Sequence, residues 1–125
     1  MSTLKMEKAE EALRLAIAFL DRFNMRDPGA IGELLHPDCV FEAAAPAPLG
    51  TRHSGKAAAI AAIGQFFKAM PELRMESEEV YGMGRHAVLR WRLTGIPGMA
   101  GGRRGVDLFT TRDGLISEIF AYAKG

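Results

Sequence analysis

Gly105-Val106-Asp107-Leu108-Phe109-Thr110-Thr111-Arg112-Asp113-Gly114-Leu115-Ile116 is the stretch that decides the fold. Read as a strand, its side chains alternate between two faces, one of which must look inward. Gly105, Asp107, Phe109 and Thr111 share one face, and Val106, Leu108 and Thr110 share the other. Asp113-Gly114 is a hairpin signal, because both residues tolerate positive φ. The chain therefore turns back at once, and Leu115 to Tyr122 is the partner strand. Asp107 sits mid-strand, between Val106 and Leu108, where a carboxylate has poor β propensity. It is the acid most in need of an explanation.

Working outward, Arg104 begins the Asp107 strand, and Gly95 to Gly102, with four glycines and a proline, precedes it as a flexible connection. That connection is either a solvated hairpin loop or a lid. His86 to Thr94 reads as a strand with Ala87, Leu89, Trp91 and Leu93 on one face and Val88, Arg90 and Arg92 on the other. Leu73 to Tyr81 is a further strand, ended by Gly82-Met83-Gly84.

The first half of the chain reads mostly as helix. From Thr3 to Met25, Leu13, Ala16, Ile17, Leu20 and Phe23 recur at helical spacing, with Phe19 at the edge of the stripe. Asp27-Pro28 supplies an N-cap and a first-turn proline for a short helix reaching about Leu35, broken by His36-Pro37-Asp38. Cys39-Val40-Phe41-Glu42 is a short strand, and Ala43 to Gly50, with Pro46 and Pro48, is a loop. Ser54 is the expected N-cap of a third helix, Gly55 to Met70, whose buried face is Ile60, Ile63 and Phe67. The order is ααβαββββ. It describes an α+β fold, three helices against one mostly antiparallel sheet, with residues 1–125 forming a single domain.

Composition narrows the function classes. Sixteen Lys+Arg against fifteen Asp+Glu leave a net charge of +1, with no basic footprint for nucleic acid. A single cysteine, Cys39, excludes an internal disulfide and a multi-cysteine zinc site, and suits a reducing compartment. No histidine pair has metal-ligand spacing, so no metal or cofactor is expected. The charged start, Lys5 to Glu11, does not read as a secretory signal, and the apolar runs Leu15–Leu20 and Ala57–Ile63 are too short to span a bilayer. The expected location is the cytoplasm, without contact to membrane or nucleic acid.

The order and spacing of these pieces resemble the nuclear transport factor 2-like superfamily, which includes the ketosteroid-isomerase-like and SnoaL-like polyketide cyclase families. The resemblance runs from about Glu11 to Lys124. It is carried by Asn24-Met25-Arg26-Asp27, Leu34 to Glu42, His53-Ser54-Gly55-Lys56-Ala57-Ala58, Gly105 to Phe109, and Asp113-Gly114-Leu115-Ile116. It implies a cone, a strongly bent sheet wrapped around the long N-terminal helix, with a pocket at one end and a homodimer contact on the convex sheet face. It also implies binding of a small apolar, carbonyl-like molecule. The chemistry would be cofactor-free isomerisation, cyclisation or hydration. The same fold also hosts non-catalytic binders and interaction proteins, and both stay open as alternatives.

Asp107 matches the position of a protonated aspartic acid that donates to an oxyanion in ketosteroid isomerases, which the resemblance offers as its catalytic role. The same enzymes are a known example of a carboxylic acid kept neutral by an apolar site. The alternative is a structural pairing of Asp107 with Arg90, Arg92 or Arg104. His53, before the third helix, is the second catalytic candidate, since an imidazole titrates near neutral pH. Phe19 stands where those enzymes carry a tyrosine donor, and Ala43, after Glu42, stands where they carry the general base. Ring and methyl groups move no protons, so true ketosteroid isomerase activity is not expected unless Glu42 or His53 supplies the base. Phe19, Phe41, Trp91 and Phe109 are the expected ligand-contacting aromatics.

Overall fold

Among residues 3–124, which this computed structural model describes, the elements run α1 (Thr3–Asn24), α2 (Pro28–Gly32), β1 (Leu35–Ala43), β2 (Thr51–Ser54), α3 (Lys56–Ala69), β3 (Arg74–Met83), β4 (His86–Thr94), β5 (Arg103–Arg112) and β6 (Leu115–Ala123). The strands form one sheet in the order β2-β1-β6-β5-β4-β3. Neighbours are antiparallel except β1 and β6, which run parallel. The α+β class stands as read, with one strand more than expected.

That strand, β2, occupies the stretch before the third helix, where Phe41 pairs with His53 and Val40 with Ser54. Ser54 is therefore a strand residue and not a helix cap. Gly55, at φ 92, precedes α3 with no side-chain cap, and its N–H bonds to the Cys39 carbonyl at 2.7 Å. Four residues with polar side chains and little alternation gave no sequence signal for pairing. Only the edge of β1 makes Thr51–Ser54 a strand. β1 also starts earlier than Cys39. His36 and Pro37 belong to it, across an irregular register between Leu35 and Val40. The His36 ring lies 3.4 Å from Asp113 Oδ2, tying this strand to the β5–β6 turn rather than capping a helix.

α1 buries Ala12, Ala16, Phe19 and Phe23 against the sheet, while Ile17 is 39% exposed. The stripe is thus turned by one position from the expected one, and Phe19 sits at its centre. The small Ala12 and Ala16 let the helix approach closely, and the two phenylalanines fill the space beyond them. Each such burial contributes about 2–3 kcal/mol. The end of α1 is tied down by polar contacts. Asn24 donates to the Met75 carbonyl at 2.7 Å and accepts from the Met75 N–H at 2.8 Å. Arg26 donates to the carbonyls of Leu73, Phe67 and Met70 and lies 4.9 Å over the Phe67 ring.

α2 starts as the sequence implies, with Asp27 accepting from the Ala30 N–H at 3.1 Å, but ends at Gly32. The turn between β5 and β6 is Asp113-Gly114, both with positive φ (56 and 75), as a type I′ hairpin requires. Pairing of β4 with β5 and of β5 with β6 sets Leu89, Asp107 and Ala121 side by side on the covered face, and Val88, Leu108 and Phe120 on the other.

Candidate functional site

The covered face of the sheet does not close completely on the helices. A cavity of about 210 Å³ remains between them. Phe19 and Phe23 from α1, Ile63 and Phe66 from α3, Phe41 from β1 and Trp91 from β4 supply much of its wall. Its rim comes from Ala44 and Ala45 on one side and from Ile96 and Met99 of the β4–β5 connection on the other. Of the described lining residues, only Asp107 and Arg103 carry an ionisable side chain.

Alternation along β5 explains their placement. Arg103, Gly105 and Asp107 lie opposite Leu93, Trp91 and Leu89 of β4, all on the covered face. A Cβ at Gly105 would collide with the Tyr122 carbonyl oxygen of β6 and come within 2.7 Å of Trp91 Cζ2, so only glycine lets both the paired strand and the indole lie this close. Arg104 faces outward, where it donates to Glu78 Oε1 at 2.9 Å. Arg90 lies 3.7 Å from Glu79 on the same outer face. The structural pairing of Asp107 with an outer-face arginine is therefore not made.

Asp107 is 4% exposed. Burial pushes its carboxyl up from 3.8 to about 7, and the nearby indole of Trp91 pulls it down only in part. No cation acts on it. Burial raises an acid because the charged form loses its water without replacement. Near neutral pH a large share of Asp107 is thus the neutral acid, a hydrogen-bond donor. Trp91 is 2% exposed, and its Nε1 N–H has no partner of ordinary hydrogen-bond geometry among the described residues. It is close enough to Asp107 to influence it electrostatically without a well-aligned bond. A buried, unpaired donor costs about 1–3 kcal/mol. An apolar cavity with a neutral acid and an unsatisfied N–H has two donors and few competing polar groups.

His53 is not brought to this pair. It is stacked on the far side of Phe41, with ring centroids 5.8 Å apart at 25°, and its Nε2 lies 3.0 Å from Thr51 Oγ1. Phe41, not His53, lines the cavity. Glu42 faces outward and pairs with Arg52 at 2.9 Å. Phe109 is fully buried beneath the site, edge-on to Phe19 at 5.3 Å, and forms no part of the cavity wall. Phe19, Phe41 and Trp91 do line it. Arg103 is not among the expected site residues, because β5 begins one residue before the expected start at Arg104. Continuing the two-residue alternation back from Asp107 reaches Arg103 on the same face.

Cys39 is buried in the core and its thiol is pushed up, mainly by burial. Among the described residues no three His, Cys, Asp or Glu side chains are grouped to hold a metal ion. No helix there is long and apolar enough to cross a membrane.

No curated protein matches the chain. Among solved structures it is similar to a nuclear transport factor 2-like protein of unknown function from Mesorhizobium loti, 34% identical over 94% of both chains, with a TM-score of 0.83. It is also similar to a polyketide cyclase-like protein from Sinorhizobium meliloti, 26% identical over 86% of this chain and 93% of that one, TM-score 0.74. A ketosteroid isomerase-like protein from Kribbella flavida, 22% identical over 94% of this chain and 80% of that one, shares the fold with a TM-score of 0.73. The model of the SnoaL-like domain matches residues 16–119, from the middle of α1 to the last strand, and the chain belongs to that family.

Proposed function

We propose that the chain binds a small, mostly apolar molecule carrying a carbonyl or similar oxygen, and that neutral Asp107 donates a hydrogen bond to that oxygen. The observation that carries this reading is the buried carboxyl of Asp107, raised to about 7 in a cavity walled by aromatic and aliphatic side chains. Donation to a carbonyl oxygen withdraws electrons from it. That would assist cofactor-free isomerisation, cyclisation or hydration, since each passes through a more negative oxygen.

A second reading, binding without turnover, is favoured by a specific observation. Moving a proton along a substrate needs a base as well as an acid. Besides Asp107, the cavity wall holds only Arg103 as an ionisable side chain among the described residues, and His53 and Glu42 lie outside it. If the chain is an enzyme, its one carboxyl must work with a bound water or with the substrate's own groups.

The test uses octyl methyl ketone as the probe and the emission of Trp91, the single tryptophan, as the readout. Binding to wild type should hold steady below pH about 7 and weaken about tenfold per pH unit above it, as the donor is lost. Asp107→Asn, which keeps an N–H donor, should bind with no pH dependence, and Asp107→Leu should bind at least tenfold more weakly at low pH. A flat wild-type profile would remove Asp107 from the reading.

The outer face of the sheet carries Tyr81 at 50%, Leu108 at 39% and Tyr122 at 52% exposure, beside the Arg90–Glu79 and Arg104–Glu78 pairs. Aromatic and aliphatic side chains among paired opposite charges suit a contact with a second copy, and the proposal includes a homodimer through this face. Its place is the cytoplasm, where a single free cysteine is kept reduced.

A further inference from the structure

Asp107 is one of two ionisable residues in the cavity wall, and the ligand class depends on the other. Arg103 opens β5 on the covered face, at the end of the cavity formed by the Ile96–Met99 connection. It is half-buried, and among the described residues no carboxylate lies within ion-pair distance of it. Neighbouring Arg104, by contrast, is paired with Glu78. Nor does Arg103 spend its charge on Asp107, which responds only to burial and to Trp91. Four positions along a strand separate the two residues by about 13 Å, at ~3.3 Å per residue. Between them Gly105 contributes no side chain, and the flat indole of Trp91 covers the gap. The cavity therefore has donors at one end, a guanidinium with no carboxylate partner among the described residues at the other, and apolar wall between.

We propose that Arg103 is a specificity-determining residue, and that the cavity takes elongated apolar molecules with an oxygen for Asp107 and Trp91 at one end and an anionic group, carboxylate or phosphate, for Arg103 at the other. This rests on the ligand reading above and narrows it. A half-buried guanidinium beside apolar wall is weakly hydrated for a cation and offers a two-pronged donor, so an anion that reaches it gains more than one in open solvent. Simple hydrocarbons and uncharged ketones leave Arg103 unused. The adjoining surface hollow places Lys124 beside Arg103, so a second cation stands at the approach to this end.

The test compares two probes with one body. Octyl methyl ketone is the uncharged probe. The charged probe is the keto acid in which the terminal methyl is replaced by a carboxylate beyond seven methylenes. Both are titrated at about pH 6, where the ligand carboxylate is ionised and Asp107 is mostly protonated, with Trp91 emission and calorimetry as readouts. Wild type should bind the keto acid about tenfold or more tightly than the ketone, with the preference shrinking as salt rises. Arg103→Gln should bring the two affinities together by weakening the keto acid, and Arg103→Lys should keep part of the preference. Arg104→Gln and Lys124→Gln should keep most of it. Equal affinities in wild type, or a preference that survives Arg103→Gln, would overturn the assignment while leaving ketone binding and the Asp107 reading in place. Failure of both probes to bind would overturn the cavity reading and this inference with it.

Discussion

Replacing Asp107 with asparagine should make the protein more stable above neutral pH, although it alters the residue at the centre of the site. The folded carboxyl sits at about 7 and its ordinary value is 3.8. Between those values the folded chain keeps a proton that the unfolded chain has released. Stability therefore falls as pH rises, by ~1.4 kcal/mol per pH unit. The fall begins near the unfolded value and is complete just above the folded one, for a total of roughly 4 kcal/mol. About 1.5 kcal/mol of it has gone by pH 5, and all of it by pH 8. Asparagine has the same shape and does not titrate. Any fixed cost of the amide, or of the Trp91 N–H beside it, shifts both pH values equally. The difference between them isolates the ionisation. Urea unfolding followed by far-ultraviolet circular dichroism at pH 5 and pH 8 measures it, because the remaining carboxylates titrate alike in both proteins and cancel. The advantage of Asp107→Asn should grow by about 2.5–3 kcal/mol between the two. Stability curves that stay parallel would mean that Asp107 is not held neutral, and the donor assignment would fall with it. A gain of this size also illustrates the usual trade between a functional group held in an unfavourable place and the stability of its fold.

Asn24→Ala should cost about 2–3 kcal/mol, read as a lower urea midpoint with unchanged slope, because it leaves the Met75 N–H and carbonyl without their partner. Gly105→Ala should displace the Trp91 ring and strain the β5–β6 pairing at Tyr122, seen as a shifted emission maximum and a lower urea midpoint, and weaken octyl methyl ketone at least tenfold. An unshifted spectrum would show that the indole does not lie across β5. Wild type should sediment as the homodimer proposed above, and Leu108→Glu on the outer sheet face as a monomer; a monomeric wild type, or a variant that stays dimeric, would remove this face as the contact.

Much of the frame is legible in local chemistry. The Asp113-Gly114 turn, the alternation of β4 and β5, the Asp27-Pro28 start of α2 and the proline stop after α3 are set by φ preferences and side-chain period. These act between neighbours in sequence. They suffice to put Trp91 and Arg90 on opposite faces of β4, and Asp107 and Leu108 on opposite faces of β5; the β4–β5 register then sets Trp91 and Asp107 on one face. β2 was not legible, because Thr51–Ser54 becomes a strand only when β1 offers its edge. The rotation of α1 was not legible either. Both Ile17 and Phe19 fit the helical stripe within one position, and contact with the sheet decides that Phe19 is buried and Ile17 is not.

For the site, the sequence by itself determined that a carboxylate lies mid-strand among apolar residues. Tertiary structure decided the rest. Burial depends on what the helices lay over β5, so only packing could raise Asp107 to about 7. Strand pairing separated His53 from the cavity by the width of the Phe41 ring. Pairing also extended β5 to Arg103, turning a residue at the margin of a glycine-rich connection into the far wall of the cavity. The physical reason is the same in each case. A side chain's period is local, but the company it keeps is set by strands and helices remote in the chain.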